Sequence, residues 1–149
     1  MQIEKVPIII NPVYGGYGYS TKAIIEYNKM KIQHDPNFQP ITDTKYVNET
    51  NISRTDHIMC QVVINLGNDA SSSHAKLCVK WIPKEFLDYV EIYEYDGREA
   101  ISGYYFDRYK IDKIKEILIN GEPANEQIKK IEGIANSVLP DEYYQYDTK

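Results

Sequence analysis

The apolar positions change period along the chain, and each change marks an element. Ile8, Ile9 and Ile10 run uninterrupted between Pro7 and Asn11-Pro12. The run is too short for a core helix, so a strand buried inside the sheet is predicted over Lys5–Ile10. Past a glycine-rich stretch, Ala23, Ile24, Tyr27 and Met30 recur at helical spacing behind Ser20, a good N-cap, which predicts a helix over residues 21–31. Periodicity fades from 32 to 51, where Asp35-Pro36 and Gln39-Pro40 break a polar segment. A long connection with at most one short edge strand is expected there. Ser53 with Asp56 three residues on has the form of a capping box, and Ile58, Met59, Val62, Val63 and Leu66 make one stripe of a second helix closed by Gly67.

Alternation then replaces helical spacing. Ala75, Leu77, Val79 and Trp81 alternate with Lys76, Cys78 and Lys80, predicting a strand over 75–82. A second alternating run covers 89–95, and Asp96-Gly97 signals a hairpin into a strand over 98–104. Two amphipathic helices follow, one carrying Ile111, Ile114, Ile117 and Leu118 and ended by Gly121, the other introduced by Pro123 and carrying Ile128, Ile131, Ile134 and Val138. The order predicts one α/β or α+β domain over residues 1–140, with a mixed sheet of about four strands and packed helices in a core over 5–104, and a helical extension over 105–140. Residues 141–149 are acidic, Tyr-rich and aperiodic, and are expected to form a flexible tail.

Composition narrows the classes. A chain of 149 residues fits one domain that buries roughly two thirds of its unfolded surface. Fourteen tyrosines against three Phe and one Trp suit half-buried sheet faces and stacking surfaces, or reflect biased codon usage. A net charge of -5 argues against general nucleic-acid binding, while a small anionic ligand needs only a local nest of amides and one or two cations. Cys60 and Cys78 are expected to be reduced in a cytoplasmic protein. No apolar run approaches the roughly 18 residues of a membrane span, so no membrane partner is expected. The sequons at Asn48 and Asn51 are expected to stay unglycosylated.

The chemistry concentrates near Asn11 and the glycines. Gly15, Gly16 and Gly18 lie between strand and helix, where free amides and a helix N-terminus can hold an anion; a tight turn with no ligand is the competing reading. The spacing is neither a Walker A loop nor a dinucleotide fingerprint. Arg54 and Asp56 open the second helix: Asp56 suits the helix dipole, whereas Arg54 needs a partner, either a phosphate or one of Glu94, Asp96 and Glu99. Those acids flank a tight turn and could serve as acid and base if one were desolvated, or simply be solvated. His34, His57 and His74 lack metal-ligand spacing, so neither a metal nor a cofactor is expected. Ser71-Ser72-Ser73-His74 has no nucleophile elbow before it and reads as a loop.

Asn11, Tyr14, Gly15, Gly16, Gly18 and Ser20, then Arg54, Asp56 and Gly67, then Ile82-Pro83 and Glu94, Tyr95, Asp96, Gly97 and Glu99 occur in an order that resembles a family of small proteins from bacteriophages and large DNA viruses. The likeness spans about residues 6–102. Tyr17 and Tyr19 stand where that family carries Phe and Leu, and the helices after Tyr104 lie outside its common pattern. The resemblance implies a viral or phage origin and a shared site, with no reaction attached.

On function, the leading expectation is a soluble, non-enzymatic binder of a small phosphorylated, nucleotide-derived molecule, such as a host signal that it sequesters. Asn11, Ser20 and the glycine amides would line its site, Arg54 would supply charge, and Tyr14, Tyr17 or Tyr95 a stacking face. The second is an interaction protein acting through a Tyr-rich homo-oligomeric interface. The third is a nucleotide-processing hydrolase or glycosyl transferase with Glu94 or Glu99 as acid-base, which requires the Asp96-Gly97 turn to approach Gly16.

Overall fold

The computed structural model describes residues 3–138 and shows an α+β domain. Strand β1 (Lys5–Ile10) pairs antiparallel with β2 (Cys78–Pro83), Ile10 lying opposite Cys78 and Lys5 opposite Pro83. Its uninterrupted isoleucines are explained by two-sided burial. Ile9 enters a main core with Ala23 and Ile24 of helix α1 (Thr21–His34) and Met59, Val62 and Val63 of helix α2 (His57–Leu66). Ile8, on the opposite face, enters a smaller core with Ile82, Phe86 and Tyr105. Full burial of such a side chain contributes about 1.5–3 kcal/mol.

The starts of α1 and α2 are set by side-chain caps. Ser20 Oγ accepts from the Ala23 amide at 3.0 Å, and Asp56 accepts from the Met59 amide at 2.9 Å. Asp56, rather than Ser53, is thus the cap of α2; Ser53 belongs to the preceding turn, its carbonyl accepting from the Asp56 amide. The connection from 35 to 51 forms no strand. Asn28 pins it instead, pairing its side-chain amide with both the amide and the carbonyl of Ile41.

The strands form two two-stranded antiparallel sheets, β1-β2 and β3 (Ile92–Tyr95) with β4 (Arg98–Ile101), rather than one mixed sheet. The hairpin is joined to the end of β1 by a carboxylate instead of a full ladder. Glu99 donates its amide to the Asn11 carbonyl at 2.8 Å, and its side chain accepts from the Asn11 amide at 2.7 Å, where a strand would present a carbonyl. The strands are also shorter than their alternation suggests. The Lys76 and Leu77 amides bond to the side chains of Asn11 and Ser71, and residues 84–89 coil into 3₁₀ turns. The Ser102 amide bonds the Glu91 carbonyl and ends β4 before helix α3 (Tyr105–Ile119), which packs on helix α4 (Ala124–Ala135). The tail expected over 141–149 lies outside the described residues.

Candidate functional site

The residues singled out at the end of β1 converge, and several are consumed by the convergence. Asn11 is fully buried. Its side-chain nitrogen donates to the carbonyls of Val13 and Gly97, each at 2.9 Å, and its side-chain oxygen accepts from the Lys76 amide. One asparagine therefore ties the strand end, the entry to β2 and the hairpin turn together. Arg54 forks onto Glu99, Nη1 donating to Oε1 at 2.9 Å and Nη2 to Oε2 at 2.5 Å, with Glu49 at 3.3 Å and the Ile9 carbonyl at 3.1 Å as further acceptors. Desolvation opposes the Arg54 charge, but the Glu99 hydrogen bonds and carboxylate raise its pKa above the usual value.

Tyr17 lies under this pair, its ring centroid 4.4 Å from the Arg54 guanidinium carbon. Its hydroxyl meets that of Tyr19 at 2.8 Å, and Tyr19 donates to the Ile52 carbonyl. Burial pushes both phenols above their ordinary range. Of the two partners considered for Arg54, the protein supplies the carboxylate. Asp56, the cap of α2, faces the Tyr27 hydroxyl at 3.4 Å.

The Asp96-Gly97 turn does reach the glycine loop. Asp96 and Gly97 both have positive φ, 50° and 80°, as a two-residue hairpin turn requires. The Asp96 carbonyl accepts from the Gly15 amide at 3.2 Å, and a Cβ on Gly97 would overlap the Gly16 backbone nitrogen. Glu94 and Glu99 are cross-strand partners that both border the cleft beside the hairpin and not the one beside the glycines, and both carboxylates are already engaged. Glu99 is 5% exposed with both oxygens occupied, and Glu94 accepts from the Gly97 amide at 2.5 Å.

Two clefts, each about 570 Å³, flank the loop. The hairpin cleft is bordered by Tyr14, Tyr93, Glu94, Tyr95, Arg98 and Glu99, with the Arg98 guanidinium 5.6 Å from the centre of the Tyr14 ring. The glycine-loop cleft is bordered by residues 15–18, the start of α1 at Ser20 and Thr21, Ser71–73, Lys45, Tyr46 and His74. Gly15, at φ 114°, packs so tightly on the His74 backbone that a Cβ would collide with the His74 carbonyl. The amides of Gly16, Tyr17 and Gly18 have no acceptor among the described residues. None of the lining residues is acidic.

Comparison of the chain with models of known families, with curated proteins and with solved structures finds no match. Function is therefore read from the site itself. The residues predicted from the sequence are divided among a buried node, two clefts and a helix cap. Lys45, Tyr46 and His74 join them as cleft residues that periodicity did not mark. The Ser71–His74 run carried a visible signal, small polar residues before a strand, and that run is the wall facing the glycines.

Among the described residues no helix is long and apolar enough to cross a membrane.

Proposed function

We propose that this is a binding protein of viral or phage type, working in the host cytoplasm, that holds a small phosphorylated, nucleotide-derived molecule in the glycine-loop cleft and sequesters it without transforming it. One observation carries the reading. Three residues whose amides have no acceptor among the described residues, Gly16, Tyr17 and Gly18, and the N-terminal turn of a 14-residue helix border a cleft whose lining carries the Lys45 ammonium and the His74 imidazole and no carboxylate side chain. The cleft volume of about 570 Å³ falls within the range of small-molecule sites. Arg54 acts one layer below by fixing Tyr17 and the loop. The Glu99 and Glu94 carboxylates are engaged within the protein, which favours binding over acid-base chemistry.

Calorimetry against linear and cyclic nucleotides and ADP-ribose derivatives tests the reading. Micromolar or tighter binding is expected for at least one, weakened at least tenfold by Lys45→Ala and by Gly16→Val. The second of these disturbs a backbone at φ 98° in otherwise open space. Binding by none, or equal binding by both variants, removes the proposal.

A second reading is favoured by a different region. No residue of α4 is buried, and Ile111, Leu118, Ile119 and Ile128 of the α3–α4 pair are 54–82% exposed. On this reading the helices form a homo-oligomeric interface. Light scattering would show a dimer that Leu118→Glu with Ile128→Glu converts to a monomer; a wild-type monomer at all concentrations removes this reading and leaves the first intact.

A further inference from the structure

Building on the glycine-loop reading and narrowing it, we infer that the ligand is a nucleoside carrying a single phosphate group, bound without a metal ion, with its base stacked on Tyr46.

Charge sets the phosphate count. Lys45 makes no ion pair among the described residues and supplies one positive charge, and the α1 N-terminus adds the equivalent of about half a charge. His74 contributes fully only when protonated. A phosphate monoester carries about -1.5 to -2 at neutral pH, which these groups match. A nucleoside triphosphate arrives with Mg²⁺, which is held through one or two carboxylates as well as the phosphates. The lining of this cleft contains no Asp or Glu, and the one carboxylate of the adjoining hollow, Asp43, is taken by the Lys45 amide on the side assigned to the base, so the phosphate end has neither the cationic charge for a bare triphosphate nor a carboxylate for its metal.

Tyr46 supplies the aromatic face that the other tyrosines cannot. Tyr17 is stacked under Arg54, and Tyr14 and Tyr95 border the hairpin cleft. Tyr46 is 95% exposed and stands at φ 58°, in a backbone region that a bulky L-residue rarely adopts. Folding does not account for it: the ring buries almost nothing, and glycine or asparagine would suit the turn better. Lys45, Tyr46 and Val47 border both the glycine-loop cleft and an adjoining hollow of about 360 Å³ that also touches Ile41, Asn51 and Asp43, whose carboxylate accepts from the Lys45 amide at 3.1 Å. A phosphate on the glycine amides leaves its base directed along this rim, where an exposed ring stacks on any base.

Calorimetry with the four ribonucleoside 5′-monophosphates, the matching triphosphates with and without Mg²⁺, and inorganic phosphate tests this on the full chain. At least one monophosphate is expected to bind more tightly than its triphosphate under either condition. Tyr46→Ala should weaken that monophosphate by about tenfold, as loss of one stacked base predicts, while leaving inorganic phosphate within about twofold. Tyr46→Phe should bind as the wild type does. An unchanged melting temperature in both variants confirms that the surface substitution leaves the fold intact. If the monophosphate binds and Tyr46→Ala is silent, or if the triphosphate binds more tightly, the monophosphate assignment fails and the glycine-loop reading stands. If no phosphorylated ligand binds at all, both fall.

Discussion

Replacing Glu99 by glutamine tests whether the polar node is the element that docks the hairpin. The amide side chain would keep one oxygen for the Asn11 amide and Arg54 Nη1, but it would set an NH₂ group against Arg54 Nη2, which now donates at 2.5 Å. Breaking one side of a buried pair costs about 3–5 kcal/mol, because the remaining charge is left uncompensated. Arg54 retains Glu49 at 3.3 Å, and its side chain is 18% exposed, which places the cost at the low end, about 3 kcal/mol. For a chain of 149 residues that is a fall in melting temperature of roughly 6–12 °C. Urea titration and calorimetry of Glu99→Gln, Arg54→Met and the double variant give the coupling. The double variant should be less destabilised than the sum of the single ones by at least about 1.5 kcal/mol. A Glu99→Gln loss under about 1 kcal/mol, or an additive cycle, would refute the idea that this pair joins the two sheets.

Gly97→Ala should destabilise more than Gly16→Ala, since both occupy positive φ but only a Cβ on Gly97 meets the opposing loop; equal effects in denaturant titration would contradict the close approach. Asp56→Ala removes the α2 cap and should cost about 1 kcal/mol, read as a lower urea midpoint with an unchanged m-value. Burial pushes the Cys60 thiol up to about 12 from 9.0, and burial beside Asp56 pushes Tyr27 up to about 12 from 10.0. Both are folded-state pKa values raised above the unfolded ones, so their stabilisation is complete below about pH 9 and is lost as pH rises toward 12. Stability measured across that window should fall, and Cys60 should resist thiol reagents at about pH 8 until the protein is denatured.

The parts of the fold that sequence made legible are those decided locally. Two-sided burial of Ile8 and Ile9, the Ser20 cap and the paired positive φ angles of Asp96-Gly97 each depend on residues within a few positions, and each has a recognisable pattern. The separation of the two sheets does not. It depends on Glu99 meeting Asn11 from 88 positions away and taking, with its side chain, the place of a backbone acceptor, which no alternation pattern encodes. The long aperiodic connection hid Lys45 and Tyr46 for a related reason, because a tyrosine at positive φ opposes its own turn propensity and leaves no signature to read.

The distribution of chemistry around the loop has a physical cause. Glycines at 15, 16 and 97 let two backbone turns approach until the Gly15 amide meets the Asp96 carbonyl, and that approach buries the strand end beneath them. Buried polar groups must be satisfied, so Asn11, Arg54 and Glu99 are drawn inward to serve the backbone and one another. What is left lining the glycine-loop cleft is mainly glycine backbone, serine and threonine hydroxyls, Lys45, Tyr46 and His74. The most reactive-looking side chains thus build the support, and the groups suited to hold a ligand are those whose identity matters least to a motif. On the proposed reading such a cleft responds to backbone geometry first, so substitution at Gly16 should weaken binding at least as much as removal of the Lys45 charge.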